Sequence, residues 1–507
     1  NLKGRVMFKK LFMITLLVMS ACSSVKDEAL PITSSSQKAT DFYNAAFNHW
    51  GQGEGLEARN NFYSALRVDP NFILANLYVN EPDPQQRRKY RKTAVENKDN
   101  GSEAERIQVE MWQAGQDGKS SERLVLAKEL VNKYPNSSEA HVWLGIVYTE
   151  QYMFDEAIDS YTKATQINPN QFDAWRELAR HHVRVGNNNM LPKERQDKNL
   201  VIKYTEEMIR SRPKAPNGYQ LRANIERQYS NFEGAKPLYK KMVDVVNETG
   251  SSAKATALLI SGHNLLFNGE FDEGVKLYDE AIAIAATPQW AYNLAANYKT
   301  VGYLFKGDYY AAQNLLKNIY KTIEETSNSE EQVNNNKSNL FWTMMMIQSH
   351  NQQKEEALES LSNWKKFRKA NLDVNNKIRV DNFNASNYAT EAWMNTLFGN
   401  YSKAKSLLKK HYDIVSKWDD ASALDNYNGI YGMVYVMEGN PSKALEYFND
   451  RINPANKQYY SYFKGLALKA TQQKDKADEI FRFIANYNFA SWEAALTRDL
   501  SSKELGS

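Results

Sequence analysis

The sequence predicts an all-α protein built as a solenoid of antiparallel helix pairs. The main observation is a repeated spacing in which small and aromatic residues alternate at steps of four, three and five positions. These steps occur at Ala157, Tyr161, Ala164 and Pro169, and again at Ala58, Phe62, Ala65 and Pro70. Composition agrees, because 507 residues with 42% hydrophobic and 24% charged side chains are typical of a folded chain and argue against extensive disorder.

The first element, residues 1–21, is predicted to be upstream residues followed by a signal peptide. Met7 is the expected start, and Lys9 and Lys10 precede an apolar stretch from Leu11 to Met19. That stretch is too short for a membrane-spanning helix, which needs ~20 residues. A charged segment, a short apolar segment and small residues before a cut are the pattern of a secretory leader.

The second element is a predicted lipid anchor and tether. Met19-Ser20-Ala21-Cys22 contains the only cysteine and resembles the lipobox of bacterial lipoproteins. The resemblance implies that Cys22 is diacylated and becomes the mature N-terminus, since two acyl chains hold a protein stably at a bilayer. The alternative is an ordinary secretory signal with an incidental cysteine. Polar residues 22–38 read as a flexible tether.

The predicted location is the outer membrane, with the side of that membrane left open. Lys26-Asp27-Glu28 resembles the short signal of surface-displayed lipoproteins of Bacteroidota, although a solvated tether often contains such a triplet. A lone cysteine also excludes an internal disulfide and a four-cysteine zinc site.

The body of the chain resembles a tetratricopeptide repeat array. Residues 138–171 contain Leu144-Gly145 and Tyr148 ahead of Ala157, Tyr161, Ala164 and Pro169, which is similar to that family's W-x2-L-G-x2-Y, A-x3-F and closing P. The resemblance implies a right-handed superhelix of about eleven pairs, with the first helix of each pair on the concave side. The predicted division is an arm over 39–325, a polar linker over 326–339, an arm over 340–495 and a tail over 496–507. Residues 73–103 are expected to form a short irregular pair.

Charge and motifs exclude several classes of function. Lys and Arg exceed Asp and Glu by 64 to 60, and four of the basic residues precede Cys22, so the body is neutral and nucleic acid is not an expected partner. Phosphate-loop, zinc-protease and serine-hydrolase motifs are missing from the sequence. His181 and His182 are adjacent, point about 100° apart on a helix, and are read as packed side chains. We therefore expect no enzyme activity, no cofactor and no metal.

The first candidate binding site is a stripe of polar side chains on two predicted first helices. Arginine suits bidentate recognition of carboxylate or phosphate, and the stripe resembles the anion-gripping inner face of repeats that clamp a peptide carboxylate. The preferred alternative is a solvated stripe paired with Asp173, Glu177 or Glu226. The stripe consists of Arg176, Arg180, Arg184, Gln220, Asn224 and Arg227.

The second candidate site is an apolar groove in the C-terminal arm. Aromatic and methionine side chains suit an adaptable binding groove, but the preferred interpretation is a tightly wound solenoid that packs on itself. The residues are Trp342, Met346, Trp393, Met433, Met437, Tyr459 and Tyr462.

The sequence therefore predicts a lipid-anchored scaffold that binds a protein or peptide partner at the cell envelope. The alternative is a surface lipoprotein that binds glycans or nutrients, since sugars stack on exposed aromatic rings. An enzyme with its site in the irregular segments has no positive support.

Overall fold

A computed structural model describes residues 26–186, 188–448 and 457–506. Cys22 and the predicted leader lie outside these ranges. Within them the chain is an all-α, right-handed superhelical solenoid, and no described helix is both long and apolar enough to cross a bilayer. The helices are α1 (Gln37–Gly51), α2 (Gly55–Val68), α3 (Ile73–Tyr78), α4 (Pro84–Asn97), α5 (Glu103–Gln116), α6 (Ser120–Lys133), α7 (Ser138–Glu150), α8 (Phe154–Ile167), α9 (Phe172–Arg180), α10 (Lys198–Ser211), α11 (Pro216–Gln228), α12 (Phe232–Thr249), α13 (Lys254–Phe267), α14 (Phe271–Ala283), α15 (Pro288–Asn293), α16 (Thr300–Phe305), α17 (Tyr309–Thr326), α18 (Glu330–His350), α19 (Lys354–Ala370), α20 (Lys377–Leu397), α21 (Tyr401–Val415), α22 (Asp425–Met437), α23 (Pro441–Tyr447), α24 (Lys457–Ala470), α25 (Lys474–Ala485) and α26 (Trp492–Glu504).

Consecutive helices pack as twelve pairs in the described ranges, one more than the sequence indicates. Pairs 1 to 7 are α1–α2 through α13–α14. In pair 8, α15, a π-helical turn over Leu294–Lys299 and α16 form one interrupted first helix that packs on α17. Pairs 9 to 12 are α18–α19 through α24–α25, and α26 follows on α24 and α25. Pair 2 is the expected irregular one, because α3 is only six residues long.

A glycine on the first helix and an aromatic ring on the second close the seam of several pairs. In pair 4, a Cβ added to Gly145 would lie 2.5 Å from Cε1 of Tyr161, sixteen positions later. The same arrangement and spacing recur at Gly262 with Tyr278, Gly432 with Phe448 and Gly465 with Phe481. The rings of Tyr161, Tyr278 and Phe481 are fully buried. Glycine is needed at these positions because any side chain would hold the two helices apart.

Contacts between successive superhelical turns join pairs about seven positions apart. Arg88 of pair 2 forms two hydrogen bonds to the Glu331 carboxylate of pair 9, at 2.8 and 2.5 Å. In pair 4, the Tyr152 hydroxyl donates to Asp425 of pair 11 at 3.4 Å. The Arg184 guanidinium, which follows α9 of pair 5, lies 4.9 Å from the ring centroid of Phe489, which follows pair 12. The superhelix is therefore wound tightly enough for its turns to touch.

The structure differs from the predicted division of the body. Most of the expected linker over 326–339 is helical, because α18 begins at Glu330. One hydrophobic cluster runs from Leu266 to Leu496 through this region, so the core is continuous there. Most of the expected tail over 496–507 is also helical, and α26 caps the solenoid by covering the apolar face of pair 12. Capping is required because the last pair of a repeat array has no following neighbour.

The described part of the predicted tether is packed on the solenoid rather than free. The Asp27 carboxylate accepts hydrogen bonds from the Ser138 backbone N–H and hydroxyl, at 2.9 and 2.8 Å, and from the Asn168 side chain at 2.8 Å. Leu30 is buried against pairs 3 and 4, and the Ser34 hydroxyl donates to Asp69 at 2.7 Å. Residues 26–36 are polar in composition, yet they provide hydrogen-bond partners for groups at the ends of several helices.

Candidate functional site

The first helices of many successive pairs contact one another and form one surface, which we call the inner surface of the solenoid. Two cavities open on this surface. One of about 500 Å³ is bounded by α9 and α11 together with the turn between α1 and α2. The other, of about 290 Å³, is bounded by α18, α20, α22, α24 and α26. We call the first the polar site and the second the aromatic site.

The polar site contains two arginines that share acidic partners on their own helix. Arg176 pairs with Asp173 at 2.6 Å and with Glu177 at 3.1 Å, and Arg180 pairs with Glu177 at 2.9 Å. Burial raises the pKa of the Glu177 carboxyl, but the nearby Arg180 and Arg176 guanidinium groups outweigh it and lower that pKa. These pairs show that the stripe is a charged network rather than a row of isolated cations.

Neutral and aromatic groups complete the polar site from distant parts of the chain. Asn217 and Gln220 come from α11, and Trp50, at the end of α1, is 44% exposed. Gly53 lies in the left-handed region at φ 81°, and a Cβ added there would meet Asn217 Oδ1 at 2.7 Å. Glycine in this turn therefore serves both the backbone conformation and the close approach of pair 1 to pair 6.

Arg212 brings a third guanidinium group close to the polar site. It lies 5.0 Å from the ring centroid of Phe172, and its Nη1 atom is buried without a hydrogen-bond partner in the described residues. Burial lowers the pKa of Arg212. Across α9 and the residue after α10, three guanidinium groups thus face two carboxylates, while Glu54 of the turn between α1 and α2 pairs with His49 at 2.6 Å.

The predicted polar stripe divides into two groups. Arg176, Arg180 and Gln220 line the polar site. The other three are buried and partnered inside the fold: Arg184 donates to the Asn188 carbonyl at 2.8 Å, Asn224 accepts from the Tyr239 hydroxyl at 2.7 Å, and Arg227 lies 5.8 Å from the Tyr239 ring centroid. Glu226, which the sequence offered as a partner for the stripe, pairs instead with Lys198 and Arg222 at 2.6 and 2.5 Å.

The aromatic site brings together three of the predicted groove residues. Trp342, Trp393 and Tyr459 line the 290 Å³ cavity with Tyr460 and Trp492. Met346 and Met433 are fully buried in the core and do not line it, and neither do Met437 and Tyr462. The Met437 carbonyl accepts from the Tyr401 hydroxyl at 2.9 Å, and the Tyr462 ring packs on Phe463 and Phe481.

A short hydrogen-bond chain fixes the rings of the aromatic site. The Trp393 indole N–H donates to the Tyr459 hydroxyl at 2.9 Å, and that oxygen lies 3.1 Å from Nε2 of His350. Burial lowers the pKa of His350 to about 4, so its ring is neutral near neutral pH and shares a hydrogen bond with the Tyr459 hydroxyl. The rings are therefore held in place before any ligand arrives.

The same repeat pattern is found by comparison with known proteins. Residues 138–171 match the tetratricopeptide repeat family, and this segment is the α7–α8 pair with its Gly145–Tyr161 seam. This one segment of the chain is therefore similar to a tetratricopeptide repeat. A search of curated proteins gives no match.

Several solved structures are similar to this chain at low sequence identity. A tetratricopeptide repeat protein from Parabacteroides merdae ATCC 43184 is 15% identical, with a TM-score of 0.35, over 55% of this chain and 96% of its own. MamA is 17% identical, with a TM-score of 0.27, over 34% of this chain and 92% of its own. The APC/C Cut9–Hcn1 complex is 14% identical, with a TM-score of 0.35, over 89% and 78%.

The adjacent histidines pack between tetratricopeptide-like pairs. His181 and His182 are 1% and 4% exposed. Nδ1 of His181 lies 2.7 Å from the Glu177 carbonyl oxygen, and Nδ1 of His182 accepts from the Asp197 backbone N–H at 3.0 Å. Burial lowers the pKa of both rings, that of His182 to about 4. Across residues 26–186, 188–448 and 457–506, no group of three His, Cys, Asp or Glu side chains could hold a metal ion.

Several lining residues were not identified from the sequence. Trp50 of the polar site, and Trp492 and Glu493 of the aromatic site, come from elements brought in by superhelical winding, whereas Asn217 lies beside Gln220 on α11. A tryptophan beside the glycine turn at Gly51–Gly55 was the available signal for Trp50, since an aromatic at a turn often has no core to fill. The pitch that brings pair 1 to pairs 5 and 6 is not encoded in any local pattern.

Proposed function

We propose that this protein is a non-enzymatic scaffold that binds a protein or peptide partner at the polar site. The observation that carries the proposal is the combination of Arg176 and Arg180 with amide side chains and the half-exposed Trp50 around a 500 Å³ opening. Arginine forks, amides and an exposed indole are the groups that dominate recognition of polypeptides. An acidic side chain or carboxylate of the partner would meet the guanidinium groups of Arg176 and Arg180.

We further propose that lipid attached to Cys22 holds the scaffold at the outer membrane. Support comes from the Met19-Ser20-Ala21-Cys22 sequence and from the binding of residues 26–36 along the solenoid. With that segment packed, few residues separate Cys22 from the folded body, so the solenoid would sit close to the membrane. Metabolic labelling with a palmitate analogue tests the anchor, and Cys22→Ala should abolish labelling and release the protein from the membrane fraction. Unchanged labelling of Cys22→Ala would contradict the anchor.

The partner site is tested by photo-crosslinking from the inner surface. A photoreactive phenylalanine analogue at Gln220 should give light-dependent crosslinks in cells, and the Arg180→Glu change should remove them. The matched control places the analogue at Tyr310, which is 78% exposed on α17 and lies outside the polar site. Equal crosslinking from Gln220 and Tyr310, or no effect of Arg180→Glu, would count against the polar site.

A glycan-binding lipoprotein is the second candidate, favoured by one observation. Tyr412, Tyr427, Tyr431 and Tyr447 form a partly exposed ring cluster on α21–α23, with Tyr431 and Tyr447 stacked at a centroid distance of 5.0 Å. Exposed, stacked rings are surfaces on which sugars pack. Binding on a glycan array that disappears in Tyr412→Ala with Tyr427→Ala would support this candidate, and a silent array would remove it.

A further inference from the structure

The rings of the aromatic site are arranged as the walls of a box rather than as a flat platform. Trp492 meets Trp342 at a centroid distance of 5.4 Å and an interplanar angle of 73°, and it meets Trp393 at 6.4 Å and 74°. Tyr459 adds a third neighbour of Trp492, at 5.3 Å and 54°. Steeply inclined rings present faces in several directions, and each face carries the negative part of the ring quadrupole.

A carboxylate, that of Glu493, stands on the rim of this box. Glu493 lines the cavity beside Trp492 and forms no ion pair within the described ranges. Burial raises the pKa of Glu493, while hydrogen bonds from its own backbone N–H and from Ser491 act in the opposite direction. A partly buried carboxylate that is held by hydrogen bonds, but not neutralised by a cation, favours a positive ligand.

Other charges around the cavity leave this preference in place. The Asp425 carboxylate is close enough to raise the pKa of Tyr460, which lines the cavity, but Asp425 has partners of its own, among them the Tyr152 hydroxyl. Arg184 is the cation that acts on Glu493, but its guanidinium is held over the Phe489 ring and donates to Asn188. His350, behind Tyr459, is neutral near pH 7 because burial depresses its pKa. At the cavity itself, the Glu493 carboxylate therefore faces a guanidinium group that is already engaged by other residues.

We propose that the aromatic site binds a small organic ammonium ion, with the alkylated nitrogen among the rings of Trp342, Trp393 and Trp492 and near the Glu493 carboxylate. Faces of several aromatic rings attract alkylammonium groups by cation–π interaction, most strongly where water is excluded. The 290 Å³ cavity holds roughly ten water-sized groups, at about 30 Å³ each, which suits a trimethylammonium head with a short substituent. This site shares no lining residue with the polar site, so the proposal does not depend on the partner-binding role.

The test compares a cation with its neutral isostere on the unaltered full chain in a nonionic detergent. Choline chloride and 3,3-dimethylbutan-1-ol have the same shape, but only choline carries charge. Titration followed by tryptophan fluorescence and calorimetry should show saturable choline binding, with the alcohol at least ~10-fold weaker, since a desolvated cation–π contact contributes that much discrimination. Equal binding of the two compounds, or no choline binding in the millimolar range, would overturn the proposal.

Two substitutions on α26 locate the site. Glu493→Gln keeps the shape of the side chain but removes its charge, and it should weaken choline binding ~10-fold. Asp499→Asn, on the same helix but exposed and outside the cavity, should leave binding unchanged. Equal affinities for these two variants would place the ligand elsewhere. A variant that fails to fold, as judged by its thermal melt, leaves the isostere comparison on the unaltered chain as the deciding result.

Discussion

The polar site and the aromatic site occupy corresponding faces of the same architecture, but they differ in what fills them. At the polar site, Arg176 and Arg180 pair with acids on their own helix, and the 500 Å³ opening remains accessible. At the aromatic site, the last helix, α26, places Trp492 against rings of pairs 9, 10 and 12, so that most of the groove becomes core.

The difference teaches that the inner surface of this solenoid is independent of the seams that hold its pairs together. The seam in pair 4 joins Gly145 to Tyr161, and the seam in pair 12 joins Gly465 to Phe481, in the same geometry. Residues on the inner surface make neither contact, so one region carries charges and the other carries rings without a change in helix packing. Stability and ligand chemistry should therefore respond differently to substitution in the two regions.

The largest expected effect on stability is the loss of a buried ring at the aromatic site. Tyr459→Ala removes a fully buried ring that contacts Trp393 and Trp492, and it should lower the free energy of unfolding by about 3–5 kcal/mol. Urea denaturation measures the change. Tyr459→Phe is the matched control, which keeps the ring but removes the hydroxyl between Trp393 and His350, and it should cost about 1–3 kcal/mol. A loss under about 1 kcal/mol for the alanine variant would show that the aromatic site is not core.

The second prediction concerns how acidic pH changes the free energy of unfolding through one histidine in each region. The pKa values of His182 and His350 are lowered to about 4, from 6.5 in an unfolded chain. Between those values the unfolded chain binds protons that the folded chain excludes, so the free energy of unfolding falls as the pH drops from 6.5 towards 4. Each ring contributes at most about 3 kcal/mol to that loss.

This pH dependence is measured by urea denaturation across the pH range. His350→Gln keeps a neutral acceptor near Tyr459 and should flatten the dependence by one ring's share, and His182→Gln should do the same in the other region. A dependence that is unchanged in both variants would contradict neutral, buried histidines.

The third prediction tests whether the two regions share one seam. Gly145→Ala and Gly432→Ala each place a methyl group within 2.5 Å of an aromatic ring, and each should cost about 1–3 kcal/mol of unfolding free energy. Gly55→Ala is the control, because a Cβ there meets nothing within 4 Å, and it should be neutral or slightly stabilising. Very different costs for Gly145→Ala and Gly432→Ala would mean that the seam is not equivalent along the array.

The smallest expected effect is on the polar site itself. Arg176→Ala removes one partner from a half-exposed pair and leaves Glu177 bonded to Arg180, so the loss of unfolding free energy should stay below about 1 kcal/mol. The same variant should reduce the crosslinking expected from Gln220, because stability and binding are separable at this site. A stability loss as large as that of Tyr459→Ala would make the polar site part of the core.

Parts of both sites were predictable and parts were not. Helical spacing placed Arg176 and Arg180 on one face of α9, because residues four apart share a side of a helix. The register of the repeat placed side chains of other first helices on the corresponding faces, namely Gln220, Trp342, Trp393 and Tyr459. Helical spacing could not show that Arg180 lines the polar site whereas Arg184 is buried. Arg184 lies beyond the end of α9 and is covered by Phe489, which is far along the chain. The Asn-rich stretch expected to form a linker extends α18 instead, because its buried face packs on the neighbouring pairs.

The sequence by itself determined the all-α pairing, since glycine, alanine and aromatic residues at fixed steps permit only close antiparallel helices at each seam. Tertiary structure decided how the pairs wind, which is set by the sum of small rotations between neighbours rather than by any local pattern. That winding brings Trp50 to α11 and Trp492 to α18, and it leaves one part of the inner surface open and charged while closing the other into a box of rings. The sequence specifies which side chains are present, but the winding of the superhelix determines which of them become neighbours.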